Sequence, residues 1–191
     1  MLVRTQKVER GTYRPEIVAM GTVEPARKIS LRPRVSGRIL QRAETFTPGD
    51  ILEKGQPVVR IDPADYENTL KQKKSELQRA TANFTIEKGR QRVARQDYEL
   101  FQETLPEAQK RLVLRDPQLK IAQAEMASAR AAVDQAQLDL ERTKVEAPFK
   151  ALVVERNVNA GSEVSSGDTL GQLVGIKEYW VAATVPLSKM R

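Results

Sequence analysis

Apolar residues recur at every seventh position through the middle of the chain. Ten of the eleven members of this series are apolar. The series comprises Leu70, Leu77, Phe84, Gln91, Tyr98, Leu105, Leu112, Leu119, Met126, Val133 and Leu140. The companion positions of the first half form a less regular set that includes Glu87. A seven-residue apolar repeat is typical of coiled coils, and strong helix formers dominate residues 65–144, so the pattern predicts long helices packed along one seam.

Two prolines divide this helical segment. Pro106 follows Leu105, and the residue before a proline resists helical geometry, so the first helix is predicted to span 65–103. Asp116-Pro117 is a second N-cap-like signal, which either kinks the second helix or marks its true start and leaves 107–115 as an extended tip. Two helices with one apolar stripe each are predicted to pair as an antiparallel hairpin rather than a compact bundle.

The flanks of the helical segment read as short strands and contain a repeat. "TPGDILEKGQPVVRID" and "NAGSEVSSGDTLGQLV" each carry two glycines separated by five residues, Gly49 with Gly55 and Gly161 with Gly167. The copies align at an offset of 112 after these glycines and 114 before them, which predicts a two-residue insertion near "AETFTP". All four are predicted to be turn glycines that accept positive φ. One half-unit buries little alone, so the repeat predicts a single β-sandwich split by the helices.

Composition and charge narrow the functional classes. The net charge of +7 is concentrated in residues 1–64, which hold 12 basic and 7 acidic side chains. A basic balance fits nucleic acid, anionic lipid or an acidic partner, but no basic stretch is interleaved with aromatics, so nucleic acid is not expected as a partner. The chain contains no cysteine and no histidine, which removes disulfides, the usual zinc ligands and histidine-dependent triads. We expect neither a metal nor a cofactor.

The ends of the chain suggest that it continues in both directions. No apolar run approaches the ~20 residues that a membrane-spanning helix needs, and no signal peptide opens the sequence. The ending "TVPLSKMR" follows directly on a strand-like run, "EYWVAATV". We expect a membrane anchor before Met1 and further β-sheet after Arg191.

Together these features resemble the periplasmic adaptor proteins, also called membrane fusion proteins (HlyD-like). The resemblance rests on "RPRVSGRI", "TPGDILEKGQPVVRIDPADYE" and "LDLERTKVEAPFKALVVERNVNAGSEVSSGDTLGQLV", in this order and with the helices between. It implies an α+β fold: a lipoyl-like (biotinyl-like) β-sandwich split by a long antiparallel α-helical coiled-coil hairpin, plus part of a β-barrel domain. Residues 1–28 and 176–191 would be partial barrel segments, 29–63 and 145–175 the two lipoyl-like halves, and 64–144 the hairpin.

The resemblance also implies a function that is not enzymatic. Such adaptors bridge an inner-membrane transporter, here with the RND type favoured, to an outer-membrane channel of a multidrug-type efflux system. They self-associate as a trimer or hexamer in the assembled pump. They lie in the periplasm, and the full-length protein is anchored to the inner membrane.

The hairpin tip is the implied docking site for the channel, and it is predicted between Glu103 and Asp116. The predicted contact residues are Arg95, Leu105, Arg111, Leu112 and Arg115. For Leu105 and Leu112, which share the heptad phase, packing and recognition both remain open. Charge reversal at Arg111 and Arg115 is predicted to weaken channel engagement and to leave the fold intact.

Two departures from the family pattern bear on these sites. Many members carry an Arg, a Leu and a Ser at fixed spacing near the tip; Arg95 matches the Arg, but Glu99 stands at the Leu position, and no serine lies between Ser75 and Ser128. The family also usually has Asp-Gly after "APF", where this chain has Lys150-Ala151, so this turn is expected to differ.

Three other functions compete with that of an RND-type adaptor. A biotin or lipoyl carrier subunit of a multienzyme complex would need a lysine at the turn between the two halves, which some eighty helical residues replace. The only Lys-Met pair of this chain, Lys189-Met190, lies outside the repeat and therefore outside that turn. An adaptor of an ABC-type exporter is a second alternative. A coiled-coil scaffold unrelated to transport would leave the split repeat unexplained.

Overall fold

The computed structural model describes residues 2–7, 9–12, 18–101 and 105–185. In chain order its elements are β1 (Met20–Pro25), β2 (Lys28–Leu31), β3 (Gly37–Arg42), β4 (Ile51–Leu52), β5 (Pro57–Ile61), α1 (Ala64–Phe101), α2 (Glu107–Val113), α3 (Asp116–Glu141), β6 (Lys144–Glu146), β7 (Ala151–Arg156), β8 (Glu163–Val164), β9 (Gly171–Gly175) and β10 (Tyr179–Thr184). Two groups of strands therefore flank a purely helical middle, as the sequence pattern predicts.

The two repeats build one sandwich by exchanging strands. One four-stranded sheet has the order β2-β9-β7-β4 and the other has the order β6-β5-β3-β8. All strand pairs within them are antiparallel. The first repeat supplies β2 to β5 and the second β6 to β9, so replacing each strand by its counterpart converts one sheet into the other. The prediction of a single split domain is confirmed.

The first glycine of each repeat lies where one repeat crosses the other. Gly49 N donates to Val153 O at 2.9 Å, and Gly161 N donates to Ile39 O at 2.8 Å. Both glycines have positive φ, 98° and 91°, which residues with a Cβ rarely adopt. The β3–β4 connection has eight residues and the β7–β8 connection has six, which confirms the predicted insertion.

The second glycine of each repeat lies in a turn, but only one of the two takes positive φ. Gly55 has a φ of 79° in the turn that leads into β5. Gly167 lies in the turn that Asp168 N closes by donating to Ser165 O at 3.0 Å, and its φ is not positive. The prediction of positive φ is therefore wrong at Gly167, because this turn closes its hydrogen bond with an ordinary backbone conformation.

The inserted loop places Phe46 in the centre of the sandwich. Its ring is fully buried and lies against Gly171, where an added Cβ would be 2.8 Å from Phe46 Cζ and 2.3 Å from Glu155 O. Burying a phenylalanine side chain of this kind contributes about 1.5–3 kcal/mol. The other members of the core are Leu31, Val35, Ile39, Leu52, Val58, Val59, Ile61, Val145, Ala147, Ala151, Val153, Val158, Val164, Leu170 and Leu173.

α1 and α3 run antiparallel and pack along the predicted seam. On α1, Leu70 is buried and Leu77 and Phe84 are half-buried; on α3, Ala122 and Ala136 are buried. The alanines let the two backbones approach, as expected from their place in the heptad. With ~1.5 Å per residue, α1 is about 57 Å long. The predicted coiled-coil hairpin is confirmed.

The prolines mark the helix boundaries. α1 is described as far as Phe101, so its predicted end at residue 103 lies outside the described residues. Pro106 precedes α2, and Pro117 lies in the first turn of α3. Asp116-Pro117 therefore marks the true start of α3. The predicted extended tip is wrong over residues 107–113, which form the short helix α2, and Arg115 rather than Asp116 holds the N-cap position of α3.

The base of the hairpin is fastened to the sandwich on both helices. Tyr66 Oη donates to Ser36 O at 2.7 Å, and Ile61 N donates to Thr143 O at 2.8 Å. The carboxylate of Asp62 accepts a hydrogen bond of 3.0 Å from the first N–H of α1, which satisfies one of the donors left open at a helix start. The rod and the sandwich are thereby held together at both ends of the insertion, by side-chain contacts at the start of α1 and by a backbone hydrogen bond after α3.

β1 and β10 form a separate two-stranded antiparallel ribbon. Its apolar side chains are exposed, including Trp180 at 67% and Val181 at 64%. The two predicted barrel segments thus pair with each other. Trp180 therefore does not pack into a core among the described residues.

Candidate docking surface at the hairpin tip

An ion pair between Arg115 and Glu87 separates the packed seam of the hairpin from its exposed end. Arg115, between α2 and α3, bonds to Glu87 of α1 across the seam. We use "tip" for residues 88–101 and 105–114, which lie beyond this pair. The predicted boundary residue Glu103 lies outside the described residues.

The tip exposes large apolar side chains. Leu100 is 79% exposed, Leu112 is 61% exposed and Val113 is 46% exposed, and α2 contains no buried residue. Leu105, just before α2, is half-buried. Of the two leucines left open by the heptad series, Leu112 therefore does not pack into the seam, because the backbone turn at Arg115 changes the phase between α2 and α3.

Two of the predicted cations stand at the surface of the tip. Arg111 is exposed on α2 beside Leu112, and Arg95 is exposed on α1. Neither forms an ion pair with a side chain in the described ranges. Lys110, in contrast, lies 5.7 Å from the centre of the Tyr98 ring and 4.0 Å from Glu107 Oε1. The structure thus brings Arg111 and Leu112 together on one short helix and places Arg95 on the other.

Arg115, the third predicted cation, points into the seam. Its Nε donates to Glu87 Oε1 at 2.6 Å and its Nη2 donates to Glu87 Oε2 at 3.2 Å, a forked arrangement. Arg90 Nη1 lies 3.5 Å from the same carboxylate. The hydrogen bond from Arg115 lowers the pKa of the Glu87 carboxyl, and the bond to Glu87 raises the pKa of Arg115.

This contact bears on the expected effect of charge reversal. An acidic residue at position 115 would place two carboxylates where the structure has an ion pair, and like charges at this distance repel. Reversal at Arg115 is therefore expected to disturb the local fold, so Arg111 is the better position at which to test docking. A role of Arg95, Leu105, Arg111, Leu112 or Arg115 in docking stays a prediction.

Three residues of this region were not among the predicted sites. Glu87 pairs with Arg115, while Leu100 and Val113 add apolar area to the tip. An acidic residue on the companion phase of an apolar seam was the available signal for Glu87, because a buried charge needs a partner. For Val113 no heptad signal existed, since its exposure depends on the turn at Arg115.

The departure at Lys150 also has a structural consequence. Lys150 Nζ donates to Glu53 Oε1 at 2.5 Å, which joins the β6–β7 turn to the β4–β5 turn. Lys189-Met190 lies outside the described residues.

Neither a metal centre nor a membrane span is found in the described ranges. No group of three or more acidic side chains there is placed to hold a metal ion. Of the helices described, none combines the length and apolar character needed to cross a membrane.

The fold defines the class of protein: a β-sandwich of two exchanged repeats, split by a coiled-coil hairpin. The profile of the RND MFP barrel-sandwich hybrid domain matches residues 27–176, which is most of the chain. The chain belongs to this family of membrane fusion proteins.

Named relatives agree with the family match. The chain is 30% identical over 175 residues to the multidrug efflux pump subunit AcrA of Escherichia coli strain K12, which covers 86% of this chain and 39% of AcrA. It is 28% identical over 172 residues to the multidrug resistance protein MdtA of Cronobacter turicensis, which covers 87% of this chain and 40% of MdtA. The chain thus spans about two fifths of the length of these curated relatives.

A solved structure shows the same fold. MacA from Actinobacillus actinomycetemcomitans superposes with a TM-score of 0.59 at 20% sequence identity, over 93% of this chain and 61% of that chain.

Proposed function

We propose that this chain is the periplasmic adaptor of a multidrug-type efflux system. In this proposal the hairpin tip contacts an outer-membrane channel, while the sandwich and the β1–β10 ribbon face an inner-membrane transporter of the RND type. Copies of the chain associate side by side as a trimer or hexamer, and the full-length protein is anchored to the inner membrane. The chain acts as a mechanical link and catalyses no reaction.

The observation that carries the proposal is the exposed pair Arg111 and Leu112 at the far end of a rod. Leu112 is 61% exposed although it continues the heptad series, and Arg111 has no ion-pair partner in the described residues. An exposed leucine beside an unpaired arginine suits contact with a partner that combines apolar and acidic groups. The names of AcrA and MdtA as pump and resistance proteins support the efflux setting.

The base of the hairpin is built to transmit an orientation. At the base of α1 the Tyr66 hydroxyl donates to Ser36 O, and just after α3 Thr143 O accepts a backbone hydrogen bond from Ile61 of β5. A rod fixed at its base and exposed at its tip sets the distance and the angle at which a partner is held. This geometry supports a bridging role.

A carrier function finds no supporting observation in the same region. β5 ends at Ile61 and α1 begins at Ala64, so the place of a lysine-bearing turn is occupied by the helix start. Lys150, which departs from the family pattern after "APF", donates a hydrogen bond to Glu53. The other alternative, an adaptor of an ABC-type exporter, is distinguished by comparing cells that contain different transporters.

The chain offers a matched control for the docking test. Lys120-Ile121 on α3 is also an exposed basic residue followed by an exposed apolar one. The exposed fraction of Ile121, 60%, is similar to the 61% of Leu112. We would compare Arg111→Glu with Leu112→Gln against Lys120→Glu with Ile121→Gln, each in the full-length protein within an otherwise complete pump. Drug susceptibility and cross-linking to the channel are the readouts.

The tip variant is expected to lower efflux and cross-linking at least about tenfold, which corresponds to a loss of ~1.4 kcal/mol of contact energy. The control variant is expected to keep both. Equal effects of the two variants, or full efflux by a folded tip variant, would contradict the proposal. Repeating the comparison in cells that contain only an RND pump, and in cells that contain only an ABC exporter, decides between the two transporter classes.

A further inference from the structure

A polar layer interrupts the apolar seam between α1 and α3 near the tip. It consists of Glu87 and Gln91 on α1 and of Arg115 and Asp116 at the start of α3. Glu87 is only 8% exposed and is the one charged residue found buried in the described part of the chain. A buried carboxylate is unfavourable without a partner, so this level of the seam requires the contacts that it makes.

Two contacts of the layer cross between the helices. Glu87 receives the forked pair of bonds from Arg115, and Gln91 Nε2 donates to Asp116 Oδ1 at 2.8 Å. Only one arrangement of the two helices along their axes satisfies both bonds together. A polar layer of this type specifies register in coiled coils, because any slip leaves buried polar groups unpaired.

The backbone of Arg115, whose side chain makes this contact, has an unusual conformation. Its φ of 58° and ψ of 25° lie in the left-handed region, and Arg115 is the one residue other than glycine with positive φ in the described ranges. Left-handed backbone is unfavourable for residues with a Cβ. The fork from Glu87 binds the side chain that this backbone conformation presents.

Pro117 accounts for the helix break but not for its direction. A proline in the first turn of α3 prevents the helix from continuing backwards, since it lacks an N–H and clashes with the preceding turn. Many conformations at residue 115 would satisfy that requirement. The direction in which α2 leaves α3 therefore depends on the backbone conformation at Arg115, whose side chain is bound by Glu87.

We propose that Glu87 is a positioning residue for the tip. Through Arg115 it fixes the direction of α2, and with it the exposed placement of Arg111 and Leu112. The inference rests on the proposed docking function for its purpose, but the positioning itself is measurable in the isolated protein.

The absence of cysteine makes the protein suitable for spin labelling. One label pair, at Gln96→Cys and Gln109→Cys, spans the tip; a second, at Gln78→Cys and Ala131→Cys, spans the rod below the polar layer. All four positions are exposed. Distance distributions would be measured by double electron–electron resonance. Each label pair would be placed in the protein with Glu87 and Arg115 intact, in Glu87→Gln, in Arg115→Gln and in the double variant.

The expected result is a tip distribution about twice as broad in each single variant, with an unchanged rod distribution. The double variant is expected to be no broader than the singles, because the two residues act through one contact. Glu76→Gln is the matched control: Glu76 pairs with Lys73 on the same helix at 2.9 Å, so its loss should change neither distribution.

Each other outcome overturns the proposal. An unchanged tip in both single variants would mean that Pro117 alone sets the direction of α2. Broadening of the rod together with the tip, with lost helix signal, would mean a general loss of stability. Additive broadening in the double variant would mean that Glu87 and Arg115 act separately.

Cross-linking of Glu87→Gln to the channel separates this inference from the docking proposal. A disordered tip with normal cross-linking would refute docking through α2 and leave the positioning role standing. An ordered tip with impaired cross-linking would refute the positioning role and leave docking standing.

Discussion

The sandwich and the hairpin inserted into it are stabilised in different ways. In the sandwich, sixteen apolar side chains form one buried cluster drawn from both repeats. In the described part of the hairpin the buried apolar residues are Leu70, Ala122 and Ala136. A substitution in the sandwich therefore acts on whether the domain folds, whereas a substitution in the hairpin acts on the shape that is presented. The predictions below test this contrast.

The largest effect is expected at Phe46. Phe46→Ala removes a fully buried ring from the core and should lower the free energy of unfolding of the sandwich by about 3–5 kcal/mol. Leu100→Ala on the tip, where the side chain is 79% exposed, should change it by less than about 0.5 kcal/mol. Urea unfolding followed by circular dichroism measures both. Similar losses for the two variants would contradict the contrast.

A smaller effect is expected when equivalent glycines of the two repeats are compared. Gly55→Ala forces a residue with a Cβ into positive φ and should cost about 1–2 kcal/mol. Gly167→Ala should cost nothing or stabilise by about 0.4–1 kcal/mol, since its φ is ordinary and the unfolded chain loses freedom. No atom lies within 4 Å of an added Cβ at either position, so the comparison isolates backbone conformation. Thermal unfolding would measure the difference, and equal losses would refute the assignment.

The smallest effect is expected from pH, and it should be confined to the hairpin. The pKa of Glu87 is lowered in the folded protein by the bond from Arg115, with Arg90 also facing it. Its contribution to stability is therefore present above the ordinary carboxyl value of 4.5 and is lost as pH falls below it. Helix melting followed between about pH 6 and about pH 3 should show a loss that Glu87→Gln reduces.

The control for the pH experiment is again Glu76→Gln. The pKa of Glu76 is also lowered, chiefly by its hydrogen bond from Lys73, but this contact lies within one helix. Because Glu76→Gln keeps the Glu87–Arg115 pair, its tip label distribution should broaden at low pH as that of the unmodified protein does, whereas Glu87→Gln should show little further change. A tip that stays ordered at low pH would contradict the role of the ion pair.

Much of the fold could be predicted because its signals are local. The heptad series indicated the helices, and Pro106 and Pro117 indicated where they break. The glycine spacing and the two offsets indicated one split sandwich with an insertion of two residues. Each of these signals reflects a backbone preference or a repeat period, which a sequence displays without knowledge of distant contacts.

The site could be predicted only in part, because its decisive contacts are long-range. Arg111 and Leu112 lie together on the surface of α2, within the predicted tip. Arg115 was assigned the same role, yet it turns inward to Glu87, which lies 28 positions earlier in the chain. Nothing in the local pattern around Arg115 distinguishes a free cation from a paired one.

The sequence by itself determined the repeat, the turn glycines, the heptad seam and the helix breaks, because local backbone geometry and periodicity encode them. Only the tertiary structure decided that the repeats exchange strands, that Phe46 packs on Gly171, that Arg115 pairs with Glu87, and that Leu112 is exposed. These outcomes depend on which distant groups meet when the chain closes on itself. The ring of Phe46 is buried because Gly171 leaves room for it, and the carboxylate of Glu87 is buried with Arg115 as its ion-pair partner.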